Sequence, residues 1–148
     1  MTSMFFGARV LAFALLAGAG PAAAESWLSA GRESGERVAI DIERSMAPGP
    51  DGVLAVVLTV PPQRRGRTTY TVWFNRYDCT ARTRTRGTSI VSSSWRDPVR
   101  REITSPVVET AHGDDAIARQ LAVICGGPGE RTTGARYDTL RAFVEAGG

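Results

Sequence analysis

Hydrophobic residues follow two strand-like patterns in the first half of the chain. Residues 38–43, VAIDIE, alternate large apolar side chains with smaller or charged ones, as in a strand with one buried face. Residues 53–60, VLAVVLTV, form a continuous apolar run that is typical of a central strand. The sequence APGPDG, at 47–52, supplies the proline and glycine residues of a turn between them.

The segment from Tyr70 to Arg86 predicts one long strand, because it is rich in Thr, Tyr, Val, Trp and Phe. A polar loop at 61–67, PPQRRGR, precedes it. Alternation places these residues on one face: Trp73, Tyr77, Cys79, Ala81 and Thr83. The opposite face carries Arg76, Asp78, Thr80, Arg82, Arg84 and Arg86.

Three apolar residues interrupt the polar face of this strand, namely Tyr70, Val72 and Phe74. Either a bulge shifts the register there, or another element covers that end of the sheet. Residues 88–95, TSIVSSSW, predict a strand that returns antiparallel to it, and residues 99–103 a further short strand. Successive strands separated by turn signals indicate an antiparallel meander.

A helix follows the predicted sheet. Asp114 or Asp115 can cap its N-terminus, and Gly126 begins a Gly-Gly-Pro sequence that ends it. Its apolar stripe consists of Ile117, Leu121 and Ile124, with Cys125 beside it. A weaker stripe in the tail consists of Tyr137, Leu140 and Val144. This tail helix either covers the three apolar residues of the long strand or remains mobile.

The N-terminal segment predicts export. Arg9 precedes an apolar run at 10–16 that is too short to span a bilayer, which needs about 20 apolar residues. Small residues end at Ala24, as in the A-x-A cleavage rule of a secretory signal, although a buried N-terminal helix is the alternative. No cysteine lies near this point, so we expect no lipid anchor and a periplasmic or secreted mature protein.

The composition narrows the function classes only modestly. The 148 residues include 18 basic ones, all arginine, against 15 acidic ones, for a net charge of +3. This balance does not indicate a nucleic-acid-binding protein. Arginine does favour two-pronged contacts with carboxylate, sulfate or phosphate groups.

The two cysteines, Cys79 and Cys125, are expected to form one disulfide, since the chain is expected to be exported. A reactive thiol would need a nearby base, and the sole histidine, His112, lies in a predicted loop. A zinc site would need three or four ligands at a recognisable spacing. Both alternatives are therefore disfavoured.

The sequence AHGDD, at 111–115, places His112 beside two aspartates. Such a group can act as a base or bind a metal, but a helix cap in a polar loop is the commoner interpretation. No nucleophile elbow, phosphate loop or zinc helix motif is present in the sequence. We therefore expect no enzyme activity, no metal site and no cofactor.

The arginines at the end of the long strand form the candidate binding stripe. If Cys79 faces the core, Arg82, Arg84 and Arg86 project together into solvent, about 6.6–7 Å apart. They can then engage a sulfated glycan, a lipid head group or an acidic protein surface. The alternative is a solvated face whose arginines pair with strand carboxylates such as Glu43 and protect a sheet edge.

Several sequence features together resemble the surface-adhesin protein E-like family of small exported bacterial domains. They are Trp27 just after the signal, RVAIDIERS, YDC followed by arginines, SP, and a helix that ends in VIC. The resemblance covers Trp27 to Cys125. It implies a small antiparallel sheet with a packed helix and a cysteine pair, which Cys79 and Cys125 match. It also implies adhesion to host proteins, although the lipidation cysteine of the named adhesin is absent here.

We therefore expect an α+β fold, with a single antiparallel sheet of about five to six strands and a C-terminal helix tied to it by one disulfide. Residues 1–24 form a signal peptide, 25–126 the surface-adhesin protein E-like domain, and 127–148 a tail that can form a short helix. The chain is not expected to span a membrane, and a homodimer is compatible with the sequence.

Three function classes remain. The first is an exported protein-binding module of the cell envelope, adhesin-like, whose partner is a protein or an acidic glycan. The second is a periplasmic inhibitor or accessory factor of an envelope enzyme. The third is a structural or stress-related protein without a direct ligand.

Cleavage after Ala24 is the first testable prediction. Intact-mass measurement of protein from the native envelope should give a chain that begins at Glu25, because the signal has all three of its parts. A mature chain that retains residues 13–16 would contradict both the export and the disulfide predictions.

Overall fold

One antiparallel sheet, with a short helix against each face, forms the body of the protein. The computed structural model describes residues 25–44, 47–126 and 134–147, and the predicted signal peptide lies outside them. The strands are β1 (Trp27–Glu33), β2 (Glu36–Asp41), β3 (Ala47–Gly49), β4 (Gly52–Val60), β5 (Thr69–Asp78), β6 (Thr83–Thr85), β7 (Ser89–Ser93), β8 (Arg96–Arg101), β9 (Val108–Thr110) and β10 (Arg136–Tyr137). The helices are α1 (Ala116–Cys125) and α2 (Leu140–Glu145).

The sheet forks along β5. Its main path runs β10-β1-β2-β4-β5-β6-β9, and β3 pairs with the beginning of β4. One side of β5 pairs with β7 along residues 69–73 and with β6 along residues 76–78. β8 then pairs with β7. The two ends of β5 therefore lead to different parts of the surface.

The first face of the sheet packs against α1. Its core contains Val57 from β4, Tyr77 from β5, and Leu121 and Ile124 from α1. The N-cap of α1 is Asp115, whose side chain accepts a hydrogen bond from the Ala118 N–H at 2.7 Å. The predicted cap and the predicted apolar stripe are thus confirmed.

The second face packs against α2, which buries Phe143 and Val144 in a cluster with Trp27, Ala39, Leu58 and Val60. Burial of such side chains contributes roughly 1.5–3 kcal/mol each. Tyr70 and Val72 pack at the margin of this cluster, to which α2 contributes, so burial beside the cluster accounts for two of the three apolar residues left unexplained by the sequence. The third, Phe74, lines a separate cleft with Leu54, Ile103 and Pro106.

A single arginine fixes the C-terminal end of α2. Arg37 of β2 donates hydrogen bonds to the carbonyl oxygens of Phe143 and Val144, each at 2.8 Å. Its guanidinium carbon lies 4.7 Å from the centre of the Phe143 ring. These contacts satisfy carbonyls that a helix end leaves unpaired and hold α2 against the sheet.

The disulfide joins Cys79 to Cys125, with 5.8 Å between their Cα atoms, as predicted. It connects the turn after β5 to the last residue of α1. Cys79 itself is exposed, so the expectation that it faces the core is wrong.

The long strand expected from Tyr70 to Arg86 is in fact two strands joined by a tight turn. β5 ends at Asp78, whose carboxylate accepts hydrogen bonds from the N–H groups of Thr80 and Ala81 at 2.9 and 2.8 Å. Arg82 takes a φ of 55° to complete the turn. The alternation of threonine and arginine continues through this reversal, which is why the sequence suggests an unbroken strand.

The described sheet has ten strands, whereas the sequence predicted about five to six. The additional ones are β1, which pairs with β2 and β10, and four strands of two or three residues each, namely β3, β6, β9 and β10. The predicted tail after residue 126 includes the short helix α2. β10 pairs with β1, and α2 packs on the sheet, so residues 134–147 belong to the same folded unit as residues 25–126.

Replacing both cysteines with serine should lower the free energy of unfolding by about 2–4 kcal/mol, because the cross-link restricts the unfolded chain. The fold should persist, since α1 remains held by its apolar stripe. Urea unfolding with and without a reducing agent measures the effect. A double variant as stable as the oxidised wild type would contradict this account of the disulfide.

Candidate functional site

The predicted stripe of three solvent-exposed arginines does not exist. Arg84 is only 1% exposed, Arg86 is half-buried, and Arg82 alone is exposed in the turn. The cause is the reversal after β5, which pairs Arg84 with Tyr77 and turns its side chain toward the first face of the sheet. An unbroken strand would have placed Arg84 and Tyr77 on opposite faces.

Arg84 instead lies at the centre of a buried polar network. It donates two hydrogen bonds to Glu33, at 2.7 and 2.6 Å, and one to Glu109 at 2.9 Å. Gln120 of α1 accepts hydrogen bonds from Arg84 at 3.1 Å and from the Tyr77 hydroxyl at 2.5 Å. The side-chain amide of Gln120 donates to Glu33 at 2.9 Å.

Arg86 closes this network at its outer side. Its guanidinium donates to Glu109 at 3.1 Å and to Glu33 at 2.9 Å, and it lies 5.2 Å from the centre of the Trp73 ring. Two guanidinium groups therefore face two carboxylates, and their charges cancel.

The electrostatics of the network hold both carboxylates in the charged form. Hydrogen bonds from Arg84 lower the pKa of Glu33, which outweighs the opposing effect of burial. Burial alone would lower the pKa of Arg84, but the hydrogen bonds and charge of Glu33 more than offset this effect and raise it. Burial raises the pKa of Tyr77 to about 12, so its hydroxyl remains a donor. Each of these side chains is hydrogen-bonded to another member of the network, so the network has a structural role.

His112 has a similar structural explanation. Its side chain is exposed, and its backbone N–H donates to Asp115 at 2.8 Å at the start of α1. Hydrogen bonds from the Ala118 and His112 N–H groups lower the pKa of Asp115. Over the residues that the structure describes, no group of three or more His, Cys, Asp and Glu side chains is placed to hold a metal ion.

Four exposed arginines lie at the other end of β5, about 26 Å along the strand from Tyr77. They are Arg64, Arg65 and Arg67 in the loop before β5, and Arg96 at the start of β8. We call this surface the arginine end. Three of these arginines lie within residues 61–67, which the sequence predicts only as a polar loop, and the RRGR sequence at 64–67 is the signal of this surface.

Gln63 holds the loop of the arginine end in place. Its side-chain amide donates to the carbonyl oxygens of Pro61 and Thr69, at 2.6 and 3.2 Å, and it accepts from the Thr69 N–H at 2.9 Å. The Arg67 N–H donates to the Arg64 carbonyl at 3.0 Å and closes the turn. The arginines therefore project from an ordered backbone.

The turn between β7 and β8 supports the same surface. The Ser94 N–H donates to the Thr68 carbonyl at 2.5 Å, and Arg67 donates to the Ser93 hydroxyl at 2.8 Å. Ser94 and Trp95 have φ angles of 54° and 60°. A positive φ is rare for a bulky residue, and such backbone costs of order 1–3 kcal/mol.

Packing around Trp95 compensates for this strained turn. Its ring lies 5.2 Å from the Tyr70 ring, and the guanidinium of Arg141 lies 4.2 Å from its centre. The turn thus joins the arginine end to α2. Strained backbone that is held by its surroundings often marks a functional surface.

The arginine end carries a concentration of positive charge. Among the side chains that the structure describes, which do not include that of Asp97 in β8, no carboxylate forms an ion pair with Arg64, Arg65, Arg67 or Arg96. Guanidinium groups of this kind can bind carboxylate, sulfate or phosphate through two parallel hydrogen bonds. This surface therefore replaces the predicted stripe as the candidate site.

Comparison with protein-family models, with curated proteins and with solved structures gives no match to this chain.

The buried network should make the stability of the protein sensitive to acid. The pKa of Glu33 is lower in the folded protein than in the unfolded chain. The stability that Glu33 contributes is therefore fully present above its unfolded-state pKa, and it is lost as the pH falls through its folded-state pKa. The unfolding free energy of the wild type should therefore fall over the acid range below about pH 5. Urea unfolding across this range should show a weaker pH dependence for Glu33→Gln.

Glu36→Gln is the matched control, because Glu36 lies directly opposite Glu33 in the β1–β2 pair but outside the network. It should keep the wild-type dependence on pH. Parallel pH profiles for wild type and Glu33→Gln would show that this carboxylate does not carry the effect.

Proposed function

We propose that the protein is an exported, adhesin-like binding module of the cell envelope that engages an acidic protein surface through its arginine end. One observation carries this proposal: three exposed arginines, Arg64, Arg65 and Arg67, project from a loop that hydrogen bonds hold in place, and no described carboxylate side chain pairs with them. An acidic partner would supply the missing counter-charges.

The order of the loop favours binding over a merely solvated charge. Arg64 and Arg65 extend from backbone that is already fixed by Gln63, so association immobilises side chains but does not have to order the chain. Preorganisation of this kind reduces the entropy lost on binding. Positive charge concentrated at one end also steers an acidic partner toward that end and speeds association.

The disulfide supports an extracytoplasmic setting. The Cys79–Cys125 disulfide is consistent with an oxidising compartment such as the periplasm or the extracellular space. None of the helices among the residues that the structure describes has the length and apolar character needed to cross a membrane. The similarity to the surface-adhesin protein E-like family remains part of this proposal.

A periplasmic inhibitor or accessory factor of an envelope enzyme is the alternative function. The same ordered loop favours it, because a rigid exposed loop can be inserted into the site of another protein with little loss of entropy. Cell fractionation separates the two functions. Exposure at the cell surface supports adhesion, whereas retention in the periplasm supports the inhibitor or accessory role.

Replacing Arg64 and Arg65 with serine should greatly reduce capture of envelope or extracellular proteins by the mature domain. Both side chains are exposed and lack ion pairs within the described structure, so the melting temperature should change little. Quantitative pull-down at low and physiological salt measures the effect. Capture by the wild type should weaken as salt rises, because exposed charges are screened over about 8 Å at 0.15 M.

The charge-matched control is Arg82→Asn with Arg101→Ser. Asparagine tolerates the positive φ at residue 82, and Arg101 lies about 16 Å along β8 from Arg96. This control should retain the captured proteins. Equal loss in both variants would show that only net charge matters. Retention on a sulfated-glycan column that depends on Arg64 and Arg65, without any captured protein, would identify a glycan as the partner.

A further inference from the structure

The outer margin of β9 is a strand edge without a partner in the described sheet. β9 pairs only with β6, in antiparallel orientation. The opposed residues are Thr83 with Thr110, Arg84 with Glu109, and Thr85 with Val108. This margin lies at the opposite end of β5 from the arginine end, so it is a separate surface.

The register shows which backbone groups face outward. The Ala111 N–H donates to the Arg82 carbonyl at 3.0 Å, so these two residues form a hydrogen-bonded pair. Hydrogen-bonded and non-hydrogen-bonded pairs alternate along an antiparallel ladder. Glu109 therefore directs its N–H and C=O toward β6, whereas Val108 and Thr110 direct theirs away from the sheet. Two donors and two acceptors are thus presented at the spacing of a strand.

Other margins of the sheet carry features that oppose strand addition. β8 contains a proline and three exposed arginines: Pro98, Arg96, Arg100 and Arg101. β3 contains a proline, and β10 contains an exposed arginine. Proline and exposed charges are the usual protection of an edge strand. β9 contains neither proline nor a basic residue.

The side chains of β9 are suited to an uncharged neighbour. Val108 and the preceding Val107 are 62% and 63% exposed, among the most exposed large apolar residues of the described structure. The one charged residue of β9, Glu109, is already neutralised by Arg84 and Arg86. Because β9 has no other charged residue, its edge suits an uncharged strand better than a basic or an acidic one.

A second copy of the chain fits this edge poorly. The two-fold register that uses all four outward groups pairs Val108 with Thr110 of the copy, which places Glu109 and its partners Arg84 and Arg86 directly opposite the same three charged groups of the copy. Like charges directly opposite each other across an antiparallel pair are destabilising. We propose that the β9 edge accepts an extended, uncharged segment of another protein as an additional β-strand.

Selection from a displayed library of random nonapeptides tests this proposal, with the disulfide-bonded mature protein as the target. The variant Thr110→Pro removes an outward N–H but no hydrogen bond to β6, and Thr110→Val is the matched control that keeps the N–H. Peptides enriched on the wild type should bind Thr110→Val equally and Thr110→Pro about five- to tenfold more weakly. An enriched peptide should also protect the Val108 and Thr110 amides of the wild type from hydrogen exchange.

Three results would overturn the proposal: no enriched peptide, binding that is unaffected by Thr110→Pro, or no protection of the two amides. A dimer seen by light scattering in the wild type but not in Thr110→Pro would assign the edge to a second copy and also overturn it. If Thr110→Pro does not fold, Val108→Pro and the exchange measurement on the wild type decide the question. Peptide binding should be unchanged in the Arg64→Ser, Arg65→Ser variant, which separates this result from the test of the arginine end.

Discussion

The buried pair of Arg84 and Glu33 is the interaction on which much of the structure depends. Through Glu109, Gln120 and Tyr77 it connects β1, β5, β6, β9 and α1 within one network. Desolvation makes such pairs poor sources of net stability, but removal of one partner costs about 3–5 kcal/mol because the other charge is left buried. The network therefore determines how the elements are arranged more than how stable they are.

Further contacts hold the two helices against the sheet. The disulfide joins the turn after β5 to the end of α1, five residues beyond Gln120, so α1 is held both covalently and by hydrogen bonds. On the second face, Arg37 and the buried side chain of Phe143 hold α2. Each helix is short, and its position depends on such tertiary contacts more than on helix propensity.

Much of the central architecture is predictable from local patterns. Alternation and apolar runs identify β2 and β4, Asp115 and an apolar stripe identify α1, and two cysteines in a chain that is expected to be exported identify the disulfide. These features depend on nearby residues and on simple periodicity. Short marginal strands such as β9 and β10 have no comparable pattern, because their pairing is decided by distant parts of the chain.

The candidate site was harder to predict, for a specific physical reason. The side chain of Arg84 changes faces because the chain reverses after Asp78, and the sequence gives no break in its threonine–arginine alternation there. A one-residue error in strand phase moves a residue from solvent to core. Arg64 and Arg65 can be read from the sequence. Whether a carboxylate lies close enough to pair with them can be seen only from the three-dimensional positions of the described side chains.

The position of the disulfide has a consequence for how the protein withstands proteases. Cys79 and Cys125 are 46 residues apart, and β6, β7, β8 and β9 all lie between them. A single peptide bond cut anywhere in this interval leaves the two fragments covalently joined, so the sheet can stay assembled after being nicked. A cut between residues 127 and 133 has no such safeguard, since it separates β10 and α2 from the cross-linked body and leaves them held by non-covalent contacts alone.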